Sequence, residues 1–305
     1  MALLLYCWFN QRENIIKSSS QLIFYTAIAL LAFAGNSILC RLALAESSID
    51  ATSFTLLRLW SGAIMLLFVL SFNGNLSQLK SAGSWRAAIA LFVYAAGFSY
   101  AYIDLDTGMG ALILFACVQI TMLAISWLKG ERFNRIESLG VLIAFAGFMY
   151  LVSPGANSPS VLGVILMASA GIGWGVYSII GAGSTTPLID TGSNFIRAAL
   201  ISALLIPVLF IDSNRIETAG ILYGVMSGTL TSALGYTIWY KVLPNLRASV
   251  AAVLQLSVPA IAAIGGLLLL GELLSIRMMF ASIAILGGIG LVIYAKQSPK
   301  KAIRA

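Results

Sequence analysis

From Gly108 to Leu128 the chain reads GMGALILFACVQITMLAISWL, about twenty apolar or small residues broken by one amide, Gln119. Charge returns only at Lys129, Glu131, Arg132 and Arg135. With a rise of ~1.5 Å per residue, such a stretch crosses the ~30 Å hydrocarbon core of a bilayer as one helix. The layout recurs near the C-terminus in AAVLQLSVPAIAAIGGLLLLGELLSIR, again with one amide, Gln255, and the same Gly-Glu ending. Glu131 and Glu272 stand 141 positions apart, nearly half of the 305 residues. A repeat on that scale predicts two related halves.

Composition sets the class. The chain is 60% hydrophobic and only 10% charged, where a soluble domain averages about 25% charged residues. No polar block is long enough to form a separate soluble domain, so one integral membrane unit is expected. Histidine is absent, which excludes histidine-based catalysis and haem or zinc ligation by imidazole. The three cysteines, Cys7, Cys40 and Cys117, are scattered with no spacing that points to a metal site or a disulfide framework. No cofactor and no metal are expected. A net charge of +7 would point to nucleic acid in a soluble protein, but the basic residues sit mainly in loops and in the C-terminal tail. Membrane topology explains them, and no nucleic-acid partner is expected.

Ten segments of near-spanning length follow one another: Gln21 to Leu44, Thr52 to Phe72, Ser84 to Asp104, Thr107 to Leu128, Ile136 to Val152, Val161 to Gly181, Thr191 to Ile211, Ala219 to Leu243, Ser249 to Leu270 and Ile276 to Ala295. Turn chemistry separates several of them, at Asn73-Gly74-Asn75, Ser153-Pro154-Gly155 and Asp212-Ser213-Asn214. The short apolar run at Met1 to Phe9 lacks a basic leader and a cleavage site, so no signal peptide is expected. With the N-terminus in the cytoplasm, thirteen basic residues fall on the inner side and three, Arg41, Arg215 and Arg277, on the outer. That bias predicts a multi-pass protein of the cell (inner) membrane with both termini cytoplasmic. Five helices per half is an odd number, so the halves must run in opposite senses. The expected fold is therefore all-α and integral to the membrane, ten transmembrane helices in two inverted five-helix repeats. These occupy 21–153 and 160–295, with a cytoplasmic segment at 1–20 and a basic cytoplasmic tail at 296–305.

These features resemble the drug/metabolite transporter superfamily, specifically its bacterial EamA-type members. Three things carry the resemblance: ten short-looped helices in two halves, apolar fourth and ninth helices ending in Gly130-Glu131 and Gly271-Glu272, and the pairs Leu57-Arg58 and Ile196-Arg197 early in the second and seventh. The resemblance covers roughly Gln21 to Ala295. Its helices before Gly-Glu often carry a proline, which Pro259 matches, whereas the first half has none around Val118 to Ile120. The resemblance implies a secondary transporter, commonly an exporter of amino acids or related small metabolites by alternating access. The expected partners are a small-molecule solute and the lipid bilayer, with the protein a monomer or homodimer.

A transporter must hold a polar solute near the midplane, and polar side chains facing lipid there are costly, so mid-helix polar and aromatic residues are the candidates. Those chosen for solute binding are Asn36, Tyr94, Tyr100, Gln119, Trp174, Tyr177, Tyr236 and Gln255. Ser37, Ser178, Thr229, Thr231, Ser232 and Thr237 sit beside them. A plainer role competes at each position. Hydroxyls bond back to their own helix carbonyls, aromatic residues near helix ends form an interfacial belt, and glutamine can glue helices together.

Arg58 and Arg197 lie within the second and seventh helices, about 9 Å from opposite faces at ~1.5 Å per residue. The gating expectation pairs Arg58 with Glu272, or with Asp104 or Asp106, at the outer end, and Arg197 with Glu131 at the inner end. Snorkelling to the interface is the alternative. No carboxylate falls mid-helix, so proton coupling is weakly supported and facilitated diffusion or exchange is at least as well favoured. Glycines recur at helical spacing, as in Gly171-x-Gly173-x-Gly175, Gly224-x-x-x-Gly228 and Gly287-Gly288-x-Gly290, and predict close helix packing rather than a nucleotide loop. An enzyme is not expected, because no catalytic set lies in the spans. Efflux of drugs or toxic compounds, which would favour a greasier pocket, and a non-transporting scaffold or sensor remain the competing readings.

Overall fold

A computed structural model of the protein describes residues 18–45, 48–72, 76–130, 133–155, 158–210, 216–246 and 248–297. The N-terminal segment up to residue 17, the tail from 298, Glu131, Arg132, Arg215 and Arg247 lie outside them, as do the turns at 73–75 and 212–214. Ten helical rods account for most of what is described, and the described residues contain no strand. They are α1 (Ser19–Ala45), α2 (Ala51–Phe72), α3 (Trp85–Ala101), α4 (Thr107–Leu128), α5 (Arg135–Val152), α6 (Val161–Gly181), α7 (Pro187–Ser202), α8, α9 and α10 (Ile276–Gln297). Two are composite. In α8, Thr218–Met226, a π-helical stretch Ser227–Leu234 and Gly235–Val242 run end to end, and α9 is formed by Ala248–Gln255 and Val258–Leu270.

Helix starts follow local chemistry. Ser84 accepts from the Ala87 amide at 3.1 Å ahead of α3, and Asn134 with Glu137 makes a reciprocal capping box ahead of α5. Pro187 opens α7 four residues before the expected Thr191, because the first helical position needs no amide proton and a proline already holds the required φ. The same residue type ends α7. Pro207 cannot donate to the Ala203 carbonyl, and from Ala203 to Phe210 the chain tightens into a 3-10 helix. Pro259 acts likewise on the Gln255 carbonyl and divides α9, whereas α4 runs unbroken through Gln119. The proline present in only one half thus produces a break in only one half.

Among the described residues eight helices are long and apolar enough to cross a membrane. The other two rods are α3, whose 17 residues span about 25 Å at ~1.5 Å per residue, and the interrupted α8. The set is consistent with ten crossings. Large side chains such as Leu142, Phe145, Leu162, Ile165, Phe280 and Ile283 are exposed, as lipid-facing residues are. The helix pairings fall into matched sets when each helix is exchanged for the one five places on. The α3–α6 contact has its image in α8–α1, α4–α6 in α9–α1, and α2–α8 in α7–α3; α2–α7, α4–α9 and α5–α10 map onto themselves. With an odd number of crossings per half, that exchange reverses direction, giving an inverted repeat.

Small residues set the helix separations, as expected where lipid offers no hydrophobic push between helices. In the 171–175 run, a Cβ added at Gly173 would lie 2.7 Å from the Ala90 carbonyl of α3, while one at Gly171 would lie 2.5 Å from Cys117 of α4. Alternate glycines thus let α6 wedge between two neighbours. In α5–α10, Gly140 and Gly288 face one another, and a Cβ on Gly288 would meet the Gly140 carbonyl at 2.5 Å. Gly287 has nothing within 4 Å of such an atom. Gly288→Ala should therefore destabilise the folded protein by about 1–3 kcal/mol, the usual range for overpacking. Gly287→Ala should leave thermal unfolding in detergent unchanged, and equal effects of the two substitutions would contradict this packing.

Candidate functional site

The polar residues of α1, α2, α3 and α8 converge inside the bundle. Asn36 on α1 donates from Nδ2 to the Tyr94 hydroxyl of α3 at 3.0 Å, and its Oδ1 accepts from Ser227 at 2.6 Å and Thr231 at 3.3 Å. Both hydroxyls belong to the π-helical stretch of α8, four residues apart on one face, and Thr231 also donates to the Ser227 carbonyl at 2.9 Å. Such irregular turns are common at functional sites. Arg58 of α2 donates from Nη2 to the same Tyr94 hydroxyl at 2.8 Å and from Nε to Ser232 at 3.4 Å. Its guanidinium carbon lies 4.8 Å from the ring centroids of Tyr94 and Phe98. The approach of α8 to α2 requires Gly228, where a Cβ would fall 2.3 Å from the Arg58 carbonyl.

Arg58 is 1% exposed, so it does not snorkel, and it pairs with none of the three acids named for it. A charged side chain at membrane depth costs a few kcal/mol even on the most lenient insertion scale. Two charge-assisted hydrogen bonds, the one to Ser232 long, and two ring faces offset part of that. Its Nη1 is buried without a hydrogen-bond partner.

Two cavities flank an aromatic partition. The larger, about 360 Å³, is lined by Gln119, Met122, Trp174, Ser178, Tyr236 and Gln255, among others, and reaches the helix ends at Ala182, Leu243, Leu246 and Ala251. Lys129 and Lys241 lie at that same basic end. The smaller, about 20 Å³, is walled by Asn36, Ser37, Tyr94, Phe98 and Thr231. Phe33, Trp174 and Tyr236 line both. Trp174 sits 4.9 Å from Tyr94 and 4.9 Å from Tyr236, centroid to centroid, and stacks on Tyr177 at 5.4 Å. Six of the eight residues chosen for solute binding therefore line a cavity. Tyr177 instead backs Trp174, and Tyr100 bonds to Thr52 away from both cavities.

The opposite end is shut by charge. Gly271 takes a left-handed φ of 68°, which ends α9 and turns Glu272 back over the bundle. Glu272 Oε1 accepts from Arg41 Nε at 3.0 Å, and Oε2 accepts from the Thr107 amide at 2.8 Å, capping α4. Arg41 Nη1 also donates to the carbonyls of Tyr102 and Ile103, at 3.0 and 2.9 Å, where α3 ends. One ion pair thus ties together α1, α3, α4 and α9. Asp106 stands 3.6 Å from Arg41. Burial raises the pKa of its carboxyl, with the Glu272 charge adding and Arg41 opposing, and the shorter 3.0 Å contact makes Glu272 the main partner. The expected pairing of Glu272 with Arg58 is corrected to Arg41, because Arg58 turns inward to Tyr94 while Arg41 reaches the helix ends. Arg41 was counted only for topology; its signal was being one of three basic residues on the poorer side. At the basic end Arg197 lies 5.6 Å over Trp85, and its expected partner Glu131 is outside the described residues.

Cys40, next to Arg41, is 0% exposed beneath this closure and provides a reporter. In a variant with Cys7 and Cys117 replaced by serine, Glu272→Gln should raise labelling of Cys40 by an impermeant thiol reagent about tenfold. That corresponds to ~1.4 kcal/mol removed from the closed state. Unchanged labelling would show that the ion pair does not hold the end shut.

Comparison with known proteins places this geometry. The EamA-like transporter family matches residues 161–294. An uncharacterized protein of Pseudomonas aeruginosa is 48% identical over 268 residues, covering 88% of this chain and 93% of its own. A protein of Archaeoglobus fulgidus described as an uncharacterized transporter is 26% identical over 264 residues, covering 81% and 88%. A crystal structure 21% identical in sequence superposes with a TM-score of 0.60 over 88% of this chain and 98% of that one, a likeness of fold. The ten-rod inverted repeat, the Gly-Glu helix ends and these relatives agree: the chain belongs to the EamA-like transporter family of the drug/metabolite transporter superfamily.

Proposed function

We propose that the protein exports amino acids or related small metabolites across the inner membrane by alternating access. The single observation that carries this is the 360 Å³ cavity. Its volume falls in the range of small-molecule sites, about 300–1,000 Å³. It is lined by amides and aromatic rings, reaches one end of the bundle, and stops at a ring partition below an ion-paired closure. With the basic end and both termini in the cytoplasm, this is the state from which an exporter loads. The halves 21–153 and 160–295 would then rock about the α2–α7 and α4–α9 contacts, opening the Arg41–Glu272 end as the basic end closes. The gating role reserved for Arg58, Arg197, Glu131 and Glu272 passes in part to Arg41 in this reading. Among the described residues every carboxylate stands in a loop or near a helix end, which supports exchange or facilitated diffusion over proton coupling.

Efflux of apolar compounds is the second reading, favoured by Phe33, Trp239 and Tyr240 in the cavity wall. Gln119 and Gln255 favour the first, since two amides buried against an apolar drug would lack partners. Strains lacking or overproducing the protein should differ in release of amino acids and in resistance to their toxic analogues. Gln255→Leu and Trp174→Ala should each cut the flux at least about tenfold at normal expression, and collapse of a pH gradient across vesicles should change it less than about twofold. Drug resistance without amino-acid release would select the second reading, and strong gradient dependence would refute uncoupled transport.

A further inference from the structure

We propose that Arg58 is the docking point for a carboxylate of the transported solute. This rests on the transport reading above and narrows its substrate class to small solutes that carry a carboxylate.

Three observations converge on that arginine. A guanidinium keeps its charge at any physiological pH, yet among the described residues no carboxylate pairs with Arg58, whose two hydrogen-bond acceptors are the neutral hydroxyls of Tyr94 and Ser232. Nη1 is buried and unpartnered, and an orphaned donor on a buried cation is a vacancy for an acceptor. Arginine's fork of donors fits the two oxygens of a carboxylate better than any other common anionic partner except phosphate. A phosphate would bring a second negative charge, and among the described residues the other arginine acting on neighbouring Cys40, Arg41, is already held by Glu272.

The surroundings suit a carboxylate arriving from the cavity. Tyr94 and Phe98, whose rings the guanidinium overlies, form part of the wall of the smaller chamber. Phe33, Trp174 and Tyr236 separate that chamber from the larger cavity and line both. Arg58 itself lines neither cavity but lies directly behind the Tyr94 and Phe98 wall, so a solute end reaches it when those rings and the partition move. The solute's remainder stays among Trp174, Tyr236, Gln119 and Gln255. Tyr94 Oη accepts from Arg58 and Asn36 and so ties the arginine to the chamber wall. The small chamber, at about 20 Å³, holds about one water, so the carboxylate enters as the rings part.

If Arg58 instead served as a packing clamp, removing it would weaken the fold. A binding role predicts the reverse, since a buried cation without its counter-ion is a burden that an apolar side chain of similar length relieves. In purified full-length protein without added solute, Arg58→Met should unfold at or above the wild-type Tm. The twenty L-amino acids, each paired with the amine left when its carboxyl is removed, then serve as probes. At least one acid should raise the wild-type Tm while its amine does not. Arg58→Met should abolish that rise, and Arg58→Lys, which keeps the charge and loses the fork, should weaken the apparent affinity about tenfold. A fall of several degrees for Arg58→Met alone, equal rises with acid and amine, or a rise retained in Arg58→Met would each overturn the proposal. Flux separates the two readings. Amino-acid transport by wild-type vesicles that persists in Arg58→Lys and Arg58→Met defeats only the docking role, whereas no transport by wild type defeats the exporter reading and this with it.

Discussion

A side chain able to form hydrogen bonds is several kcal/mol worse off facing hydrocarbon than facing a partner, and that penalty organises this bundle. It drives Asn36, Arg58, Tyr94, Ser227, Thr231 and Ser232 off the lipid surface and onto one another, across four different helices. Once Asn36 meets Tyr94, Ser227 and Thr231, α1, α3 and α8 are fixed relative to each other, and the aromatic residues one turn away become the walls of a cavity. The polar knot and the solute path share one cause.

Close approach is the second requirement, and it is met by removing side chains rather than adding them. Gly228 admits the Arg58 segment of α2 against α8, Gly173 admits α3 against α6, and Gly140 and Gly288 face each other across α5 and α10. Helix irregularity then does what smooth helices cannot. The π-helical stretch carries the Ser227 and Thr231 hydroxyls that meet Asn36, and the proline break in α9 frees a backbone carbonyl at Gln255, beside the cavity. The two halves are alike in pairing and unlike in these details. That inequality allows the ends to be closed by different means, an ion pair at one end and, in the state seen here, an open cavity at the other.

Much of this was legible in the residues. Apolar runs of spanning length, the Gly-Glu endings and the basic bias lead to ten rods in two opposed halves, and mid-helix polarity picks out Asn36, Tyr94, Gln119, Trp174, Tyr236 and Gln255, which do meet the cavities. What was not legible depends on direction rather than identity. Hydropathy says how deep Arg58 lies but not which way its side chain turns, so its pairing with Glu272 was a statement about depth alone. Arg41 wins that carboxylate because two backbone carbonyls at the end of α3 hold its guanidinium in place, and loop carbonyls leave no mark in a sequence. The 3-10 end of α7 was marked by Pro207, whereas nothing in SGTLTSAL announces a π-helical turn.

The reciprocal opening of two ends is the claim on which function depends, and paired distances measure it directly. Spin labels at the exposed positions Ile103 and Leu274 report the ion-paired end, and labels at Trp127 and Val250 report the basic end. During solute exchange across a membrane, alternating access requires two populations in which the first distance lengthens as the second shortens. A single population at both ends throughout exchange, or two distances that rise and fall together, would contradict it.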